Sequence, residues 1–331
     1  MIKRTIEISR EPAHLAARDG QLLVLRRIET PRPLPANPPN LAGSIPCEDL
    51  GVLMVDERET TYSHSALTTL AEHGAAVVLC GRDHHPVCMC LPLSTNTELL
   101  ARLDAQLNAS KPTLKRLWAA IVTAKVRAQA GALPQGNDTV TCRSKLQALA
   151  ASVRSGDPDN IEAQAAALYW PVILARSVHL THPFRRRAGD RQAPPPNNLL
   201  DYGYAVLRAS VARAAVSAGL LPALGIKHRG RSNPFCLADD LMEPLRPLVD
   251  RRVRWLAERG ELTLDQPTKA ELLRVLTDEV ECGDGENSRG PLMVAVVRYV
   301  ASFVRVLTGE SKATDIPRWE KPNAPDNEDE P

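Results

Sequence analysis

His228 stands among Lys227, Arg229 and Arg231 in the stretch GIKHRGRSNPFCLADDLMEPLRPLVD, and Asp239, Asp240 and Glu243 follow shortly after it. Cations able to hold a polyanion lead here into an imidazole and clustered carboxylates. Such residues can bind a divalent ion that works on a single phosphorus, so the stretch suits phosphodiester chemistry. Asp240 and Glu243 are i, i+3, which on a helical turn puts their side chains on one face about 5–6 Å apart at Cβ, a spacing a divalent ion can bridge. Acids near a helix start also act as plain charge complements to its N-terminus, and spacing alone leaves both readings open.

Other residues extend this pattern. Between Phe184 and Arg231 the cations are Arg185, Arg186, Arg187, Arg191, Arg208, Arg213, Lys227, Arg229 and Arg231, against only Asp190 and Asp201. The loop FRRRAGDRQAPPPNN reads as a solvated surface loop, or as one making phosphate contacts that position DNA without reading bases. Glu162 lies one position round its helix from Ile161, at the edge of a buried stripe; pattern alone does not separate it from an ordinary solvated glutamate. RDHHPVCMC gathers Asp83, His84, His85, Cys88 and Cys90 but has no paired Cys-x-x-Cys. Cys88 and Cys90 fall on one strand face with Met89 on the other, so the expectation is a structural loop and strand.

These side chains need elements to position them, and the texture of the 331 residues changes near Ser94. Residues 1–93 carry short β-rich runs, TIEIS, QLLVLRRI, LGVLMVD, AAVVLCG and PVCMCLPL, with one helix in SHSALTTLAEHG. The proline-rich PRPLPANPPNLAG between them reads as a loop or strap. Residues 94–310 read as all-helical. IEAQAAALYWPVI places Ile161, Ala165, Leu168 and Val172 on one stripe, with Asp157 as N-cap and Pro158 in the first turn. A long helix from about Asn198 to Ala218 is stopped by Gly219 and Pro222, and its Gly203 and alanines allow close packing. Residues 311–331 are proline-rich and acidic and are expected to be disordered.

Composition narrows the classes. A net charge of +2 gives no global nucleic-acid signature, and 4% aromatic residues argue against large stacking platforms for single strands. Seven irregularly spaced cysteines form no disulfide framework. No window approaches the roughly 18 apolar residues of a membrane span, and MIKRTIEISREPAH lacks an apolar core of signal-peptide length. The expectation is a soluble, cytoplasmic protein. GxxxxGK[ST], GxGxxG and GxSxG are all absent, which withdraws the usual support for nucleotide hydrolysis and serine-hydrolase chemistry.

Four motifs occur in order: N-x-E-A-x-A-A beginning at Asn160, N-x-L-x-Y-G-Y beginning at Asn198, G-x-x-H ending at His228, and A-D-D-L-M-E-P-x-R-P beginning at Ala238. With IEIS and IPCEDLGVLMVD near the N-terminus, they resemble the CRISPR-associated integrase that captures new spacers, in its type II form, over nearly the whole chain apart from the acidic tail. The resemblance implies an α+β, two-domain protein with an N-terminal β-sandwich that dimerises and a C-terminal helical catalytic domain. It implies that Glu162, His228 and Glu243 are metal ligands, with Asp240 the adjacent acid of the catalytic turn. Some members carry aspartate where Glu243 stands, which leaves open which of Asp240 and Glu243 is the closer ligand.

The implied reaction is transesterification, in which the 3′-hydroxyl of a captured DNA fragment attacks a phosphodiester of the CRISPR repeat, with Mg2+ or Mn2+ as cofactor. Arg185, Arg186, Arg187, Lys227, Arg229 and Arg231 are the expected DNA contacts. The implied partners are DNA, a second copy of the chain, and a small ferredoxin-fold protein completing a heterohexamer. Two competing functions are a nonenzymatic helical DNA-binding regulator, for which the arginines would suffice, and a metal phosphohydrolase acting on small nucleotides.

Overall fold

The structure is a computed structural model that describes residues 3–26, 35, 37–93, 96–180, 183–190, 192–283 and 288–319. The N-terminal strands are β1 (Arg4–Ile8), β2 (Ala13–Arg18), β3 (Gln21–Arg26), β4 (Leu41–Pro46), β5 (Leu50–Val55), β6 (Thr61–Tyr62), β7 (Ala76–Cys80) and β8 (Pro86–Cys90), with helix α1 (His64–Glu72) before β7. They form two four-stranded sheets, ordered β1-β5-β7-β8 and β4-β3-β2-β6. Asp19 and Gly20, at φ 51° and 72°, make the two-residue turn between β2 and β3, where positive φ matches the twist of the paired strands.

β2, β4 and β6 add to the strands predicted from sequence. AHLAAR is rich in alanine and LAGSIP contains Gly43 and Pro46, so neither carries the β-branched alternation that marks a strand. The proline-rich stretch is described only at 35 and 37–43. Within it, Pro35 and 37–40 lie outside any strand and Leu41–Gly43 open β4; the rest lies outside the described residues.

β5, LGVLMV, is buried at every position, as a strand covered on both faces should be. Leu53 and Val55 face a core shared with Leu15, Leu22 and Leu70 of the second sheet and α1. Val52 and Met54 face the other way, into the large core of the helices. The strands and helices therefore share one wall. Polar ties cross it as well: Tyr202 Oη donates to Glu7 Oε1 at 3.0 Å, and Lys269 pairs with Asp56.

The helical region comprises α2 (Leu99–Leu107), α3 (Lys111–Ala132), α4 (Asn137–Ser152), α5 (Ile161–Ile173), α6 (Asn197–Ser217), α7 (Cys236–Met242), α8 (Arg246–Glu258), α9 (Gln266–Leu273) and α10 (Leu292–Leu307). α6 is buried on most of its circumference and forms the axis of the region. Gly203 permits this: a Cβ there would stand 2.4 Å from Val249 Cγ1 of α8.

Three expectations are corrected. The region is not wholly helical, since β9 (Glu279–Glu281) pairs with β10 (Arg289–Pro291) and puts Val280 and Cys282 into the core. Residues 311–319 are packed, with Asp315 N donating to Ser302 Oγ at 2.8 Å, Arg318 bridging to Glu281, and Trp319 against the core. The remaining tail, 320–331, lies outside the described residues. Helix α5 starts at Ile161 rather than near Pro158, and its fully buried stripe is Ile161, Ala165, Tyr169 and Ile173, with Leu168 and Val172 at the edge. Among the described residues no helix is long and apolar enough to cross a membrane.

Candidate active site

α5 begins beneath Asp157, whose carboxylate accepts from Ile161 N at 2.7 Å and Glu162 N at 3.2 Å. This side chain, four residues upstream of the first helical residue, satisfies two of the unpaired N–H groups of the helix start. It also fixes the turn from which Glu162 projects. Glu243 comes from the opposite side, as the first residue of a 3-10 turn (Glu243–Leu245) between α7 and α8.

The two carboxylates converge on one ammonium: Lys125 Nζ of α3 lies 2.7 Å from Glu162 Oε1 and 2.6 Å from Glu243 Oε2. Arg246 Nε lies 3.0 Å from the other Glu243 oxygen. Neither approach to Glu243 has regular hydrogen-bond geometry, so among the described residues Oε2 is a buried acceptor held mainly by charge. Burial works to raise the Glu243 carboxyl, but Arg246 and Lys125 outweigh it and hold the group below its ordinary range. Burial likewise works to lower the Lys125 ammonium, and Glu243 and Glu162 together raise it.

Asp240 is fully buried and its oxygens are occupied locally. Oδ2 accepts from the backbone N–H groups of Ile226 at 2.7 Å, Lys227 at 2.8 Å and His228 at 3.3 Å, while Oδ1 meets His228 Nδ1 at 2.5 Å. The turn is tight enough that a Cβ on Gly225 would lie 2.3 Å from His228 O and 2.9 Å from Asp240 Oδ2. The Asp240 hydrogen bond is the main cause that raises the His228 pKa; burial opposes it, and the charges of Asp240, Glu162 and Glu243 add to it. Trp118 of α3 meets the imidazole edge-on, with centroids 5.5 Å apart at 85°.

Asp240 and Glu243 therefore do not share one face, contrary to the i, i+3 expectation. α7 ends at Met242, and the 3-10 turn carries Glu243 toward Lys125 while Asp240 points into the 225–228 turn. Asp240 orients His228; Glu243 is the acid that faces Glu162. Asp239 serves the scaffold, held by Arg208 Nε at 2.7 Å and Asn233 Nδ2 at 2.8 Å.

Among the described residues no three His, Cys, Asp or Glu side chains stand close enough to hold a metal ion as placed. The donor chemistry nevertheless fits one. Two carboxylates already share a cation, one of their oxygens lacks a directed donor, and a histidine whose Nδ1 is taken by a carboxylate offers Nε2.

The expected DNA-contact residues divide. Arg185, Arg187, Lys227, Arg229 and Arg231 are exposed. Arg186 is not available in the same way: it pairs with Asp201, donates to Asn197 Oδ1 at 3.0 Å and lies over the Tyr204 ring at 5.4 Å. Arg208 is held by Asp239, and Arg213 donates to Gly74 O at 2.5 Å. Arg191 lies outside the described residues. In the RDHHPVCMC stretch, His84 Nδ1 donates to Asp56 Oδ2 at 2.9 Å, while Cys88 and Cys90 are exposed on β8.

Lys125, Arg246 and Trp118 belong to the site and were not singled out from sequence. A signal for Lys125 existed. Trp118, Ile121, Val122, Val126 and Gln129 are the buried stripe of α3, and Lys125 falls on that stripe, where a cation needs a partner.

Residues 8–281 match the family model described as CRISPR associated protein Cas1. The CRISPR-associated endonuclease Cas1 of Neisseria meningitidis serogroup C (strain 8013) is 40% identical over 271 residues, which is 81% of this chain and 84% of that relative. A solved casposase bound to integration product has a TM-score of 0.72 at 18% identity, covering 96% of this chain and 94% of that one. A chain of a Cas6-RT-Cas1--Cas2 complex has a TM-score of 0.71 at 16% identity, covering 96% of this chain and 36% of that one. At those identities the structural likeness speaks to the fold. The family match and the neisserial relative, each spanning most of the sequence, establish that this chain belongs to the Cas1 family.

Proposed function

We propose that the protein is the integrase of CRISPR adaptation and joins short DNA fragments to the repeat array by a divalent-metal-dependent transesterification. The observation that carries this reading is the convergence of Glu162 and Glu243, from separate helical elements, on one cation position beside a histidine oriented by Asp240. Its support from kinship is the endonuclease name of the neisserial relative and the fold shared with a casposase bound to integration product.

In the proposed step the 3′-hydroxyl oxygen of the fragment forms a bond to a repeat phosphorus and the bond from that phosphorus to the outgoing 3′-oxygen breaks. The proton lost by the nucleophile is balanced by one gained at the leaving oxygen. One phosphodiester replaces another, so no nucleotide cofactor is required. Glu162, Glu243 and His228 Nε2 would hold Mg2+ or Mn2+, which when bound would supply positive charge to the phosphoryl oxygens and the attacking hydroxyl. Asp240 keeps the His228 ring turned to the site with its Nδ1–H occupied. The exposed Arg185, Arg187, Lys227, Arg229 and Arg231 take the backbone of the DNA.

A fragment has two 3′ ends, and the chain carries one Glu162, His228 and Glu243 set. The working assembly is therefore proposed to contain a homodimer and the small ferredoxin-fold partner in a heterohexamer. Strand-transfer and DNA-binding assays on Glu162→Ala, His228→Ala and Glu243→Ala test the site. Each variant is expected to lose joining by 100-fold or more, on the order of a lost metal-centred contribution, while binding duplex DNA close to wild type. Joining by His228→Ala at the wild-type rate would overturn the proposal.

A further inference from the structure

We infer that Lys125 is a resident counter-cation of the acidic pair, occupying the position between Glu162 and Glu243 that a divalent ion must take, and that metal binding is an exchange of one cation for the other. The inference rests on the metal reading of that pair and goes beyond it. Two carboxylates drawn together in a site only 22% and 8% exposed repel each other unless a positive charge lies between them. Lys125 supplies that charge from the buried stripe of a long helix, so it is placed by the fold rather than by chance at a surface.

A displaced ammonium needs somewhere to go, and the structure provides a place. A cavity of about 150 Å³ adjoins Glu243, lined by the acceptors Gln129, Glu243 and Asp250 and by the cations Lys125, Arg186 and Arg246. Gln129 stands one turn along α3 from Lys125, is 3% exposed, and its Oε1 has no hydrogen-bond partner among the described residues. The flexible four-carbon stem of lysine lets Nζ turn toward Gln129 within the shared cavity, leaving the carboxylate oxygens to the incoming ion. Arg246 Nε, 3.0 Å from the far oxygen of Glu243, is a second cation able to hold that carboxylate when Lys125 leaves.

The test measures Mn2+ binding by calorimetry and thermal unfolding with and without Mn2+, on the full chain. Lys125→Gln should bind Mn2+ about tenfold tighter than wild type, about 1.4 kcal/mol, because the resident competitor is gone. Its metal-free melting temperature should fall by several degrees and Mn2+ should restore it. Gln129→Leu should bind Mn2+ severalfold more weakly, since the displaced ammonium loses its acceptor, without a lower metal-free melting temperature. Lys125→Gln that binds Mn2+ no tighter than wild type overturns the exchange. Should Lys125→Gln not fold even with Mn2+, the charge-balanced Lys125→Gln/Glu162→Gln double variant must fold near the wild-type melting temperature, and a double variant as unfolded as the single one also overturns it. Glu243→Gln separates the two ideas: if it binds Mn2+ as wild type does, the metal reading itself fails, whatever Lys125→Gln shows.

Discussion

Asp240 and Glu243 sit three positions apart, yet their carboxylates point to different partners. The cause lies in where α7 ends: a regular helical turn would have stacked them, and the 3-10 turn at Glu243 rotates the second away from the first. Sequence spacing narrows the acids to this segment and cannot say which oxygens the loop 225–228 will occupy. Asp240→Asn tests the division. The amide can keep its oxygen on the three backbone N–H groups only by turning its NH2 to His228 Nδ1, which removes the charged partner of the ring and puts the ring proton on Nε2, so the variant should lose about 1.5–3 kcal/mol of stability in denaturant titration, the range for a hydrogen bond to a charged group. It should also lose more than tenfold in strand transfer through the disoriented His228. An Asp240→Asn protein with wild-type stability and activity would show that the 225–228 turn does not depend on this carboxylate. Glu162 illustrates the opposite limit of legibility, because nothing in its helix pattern distinguishes it; the family motif alone selects it, and the structure then shows its partner in Lys125.

At the scale of elements, three helices are tied behind the site. Tyr169 of α5 donates to Asp250 Oδ2 at 2.9 Å, and Tyr204 of α6 donates to Asp250 Oδ1, with Asp250 itself on α8. Burial pushes the Asp250 carboxyl up to about 6, against the pull of Tyr204 and Tyr169. The folded protein therefore keeps a proton that the unfolded chain releases near its ordinary pKa of 3.8. The contribution of Asp250 to stability is full below that value and is lost as pH rises through about 6. Relative to Asp250→Asn, wild type should lose stability between pH 4 and pH 7, on the order of 3 kcal/mol for a shift of this size. Parallel pH profiles for the two proteins would contradict the assignment. The helices themselves were legible where periodicity was strong, as in α3 and α6. The start of α5 was not, because Asp157 caps it through a left-handed turn at Asn160 instead of standing next to the first helical residue.

A run of three arginines reads as one basic patch, but the chain direction alternates: Arg185 and Arg187 point to solvent, and Arg186 turns in to Asp201, Asn197 and the Tyr204 face. Neutralising Arg185 and Arg187 should weaken DNA binding without sequence preference and lower the salt slope by up to about 0.9 for each phosphate no longer neutralised. Arg186→Ala should instead destabilise the fold, by about 3–5 kcal/mol if its pair with Asp201 behaves as a buried one, with the salt slope of any folded fraction unchanged. Equal effects on DNA affinity from all three would return Arg186 to the binding surface.

Over the whole molecule, the first sheet is a shared wall, with Leu53 and Val55 on one core and Val52 and Met54 on the other. The alternation was readable in LGVLMVD only as a buried strand; that both its faces would be covered by different layers depends on contacts distant in sequence. The α+β class and the change of texture near Ser94 were legible because they rest on local periodicity. The packing of 311–319 was not, since its polar composition hides the bridge from Arg318 to Glu281 and the partial burial of Trp319.

The proposed joining of a DNA 3′-hydroxyl to a phosphodiester with a divalent ion is measured by incubating the purified chain and its proposed small partner with a repeat-bearing plasmid and a short duplex fragment. The fragment carries either a 3′-hydroxyl or a 3′-hydrogen terminus, and Mn2+ is either present or chelated. Covalent joining is expected only with the 3′-hydroxyl fragment and Mn2+ together, and not with Glu243→Ala under either condition. Joining of the 3′-hydrogen fragment at those ends, or undiminished joining after chelation, would contradict the account.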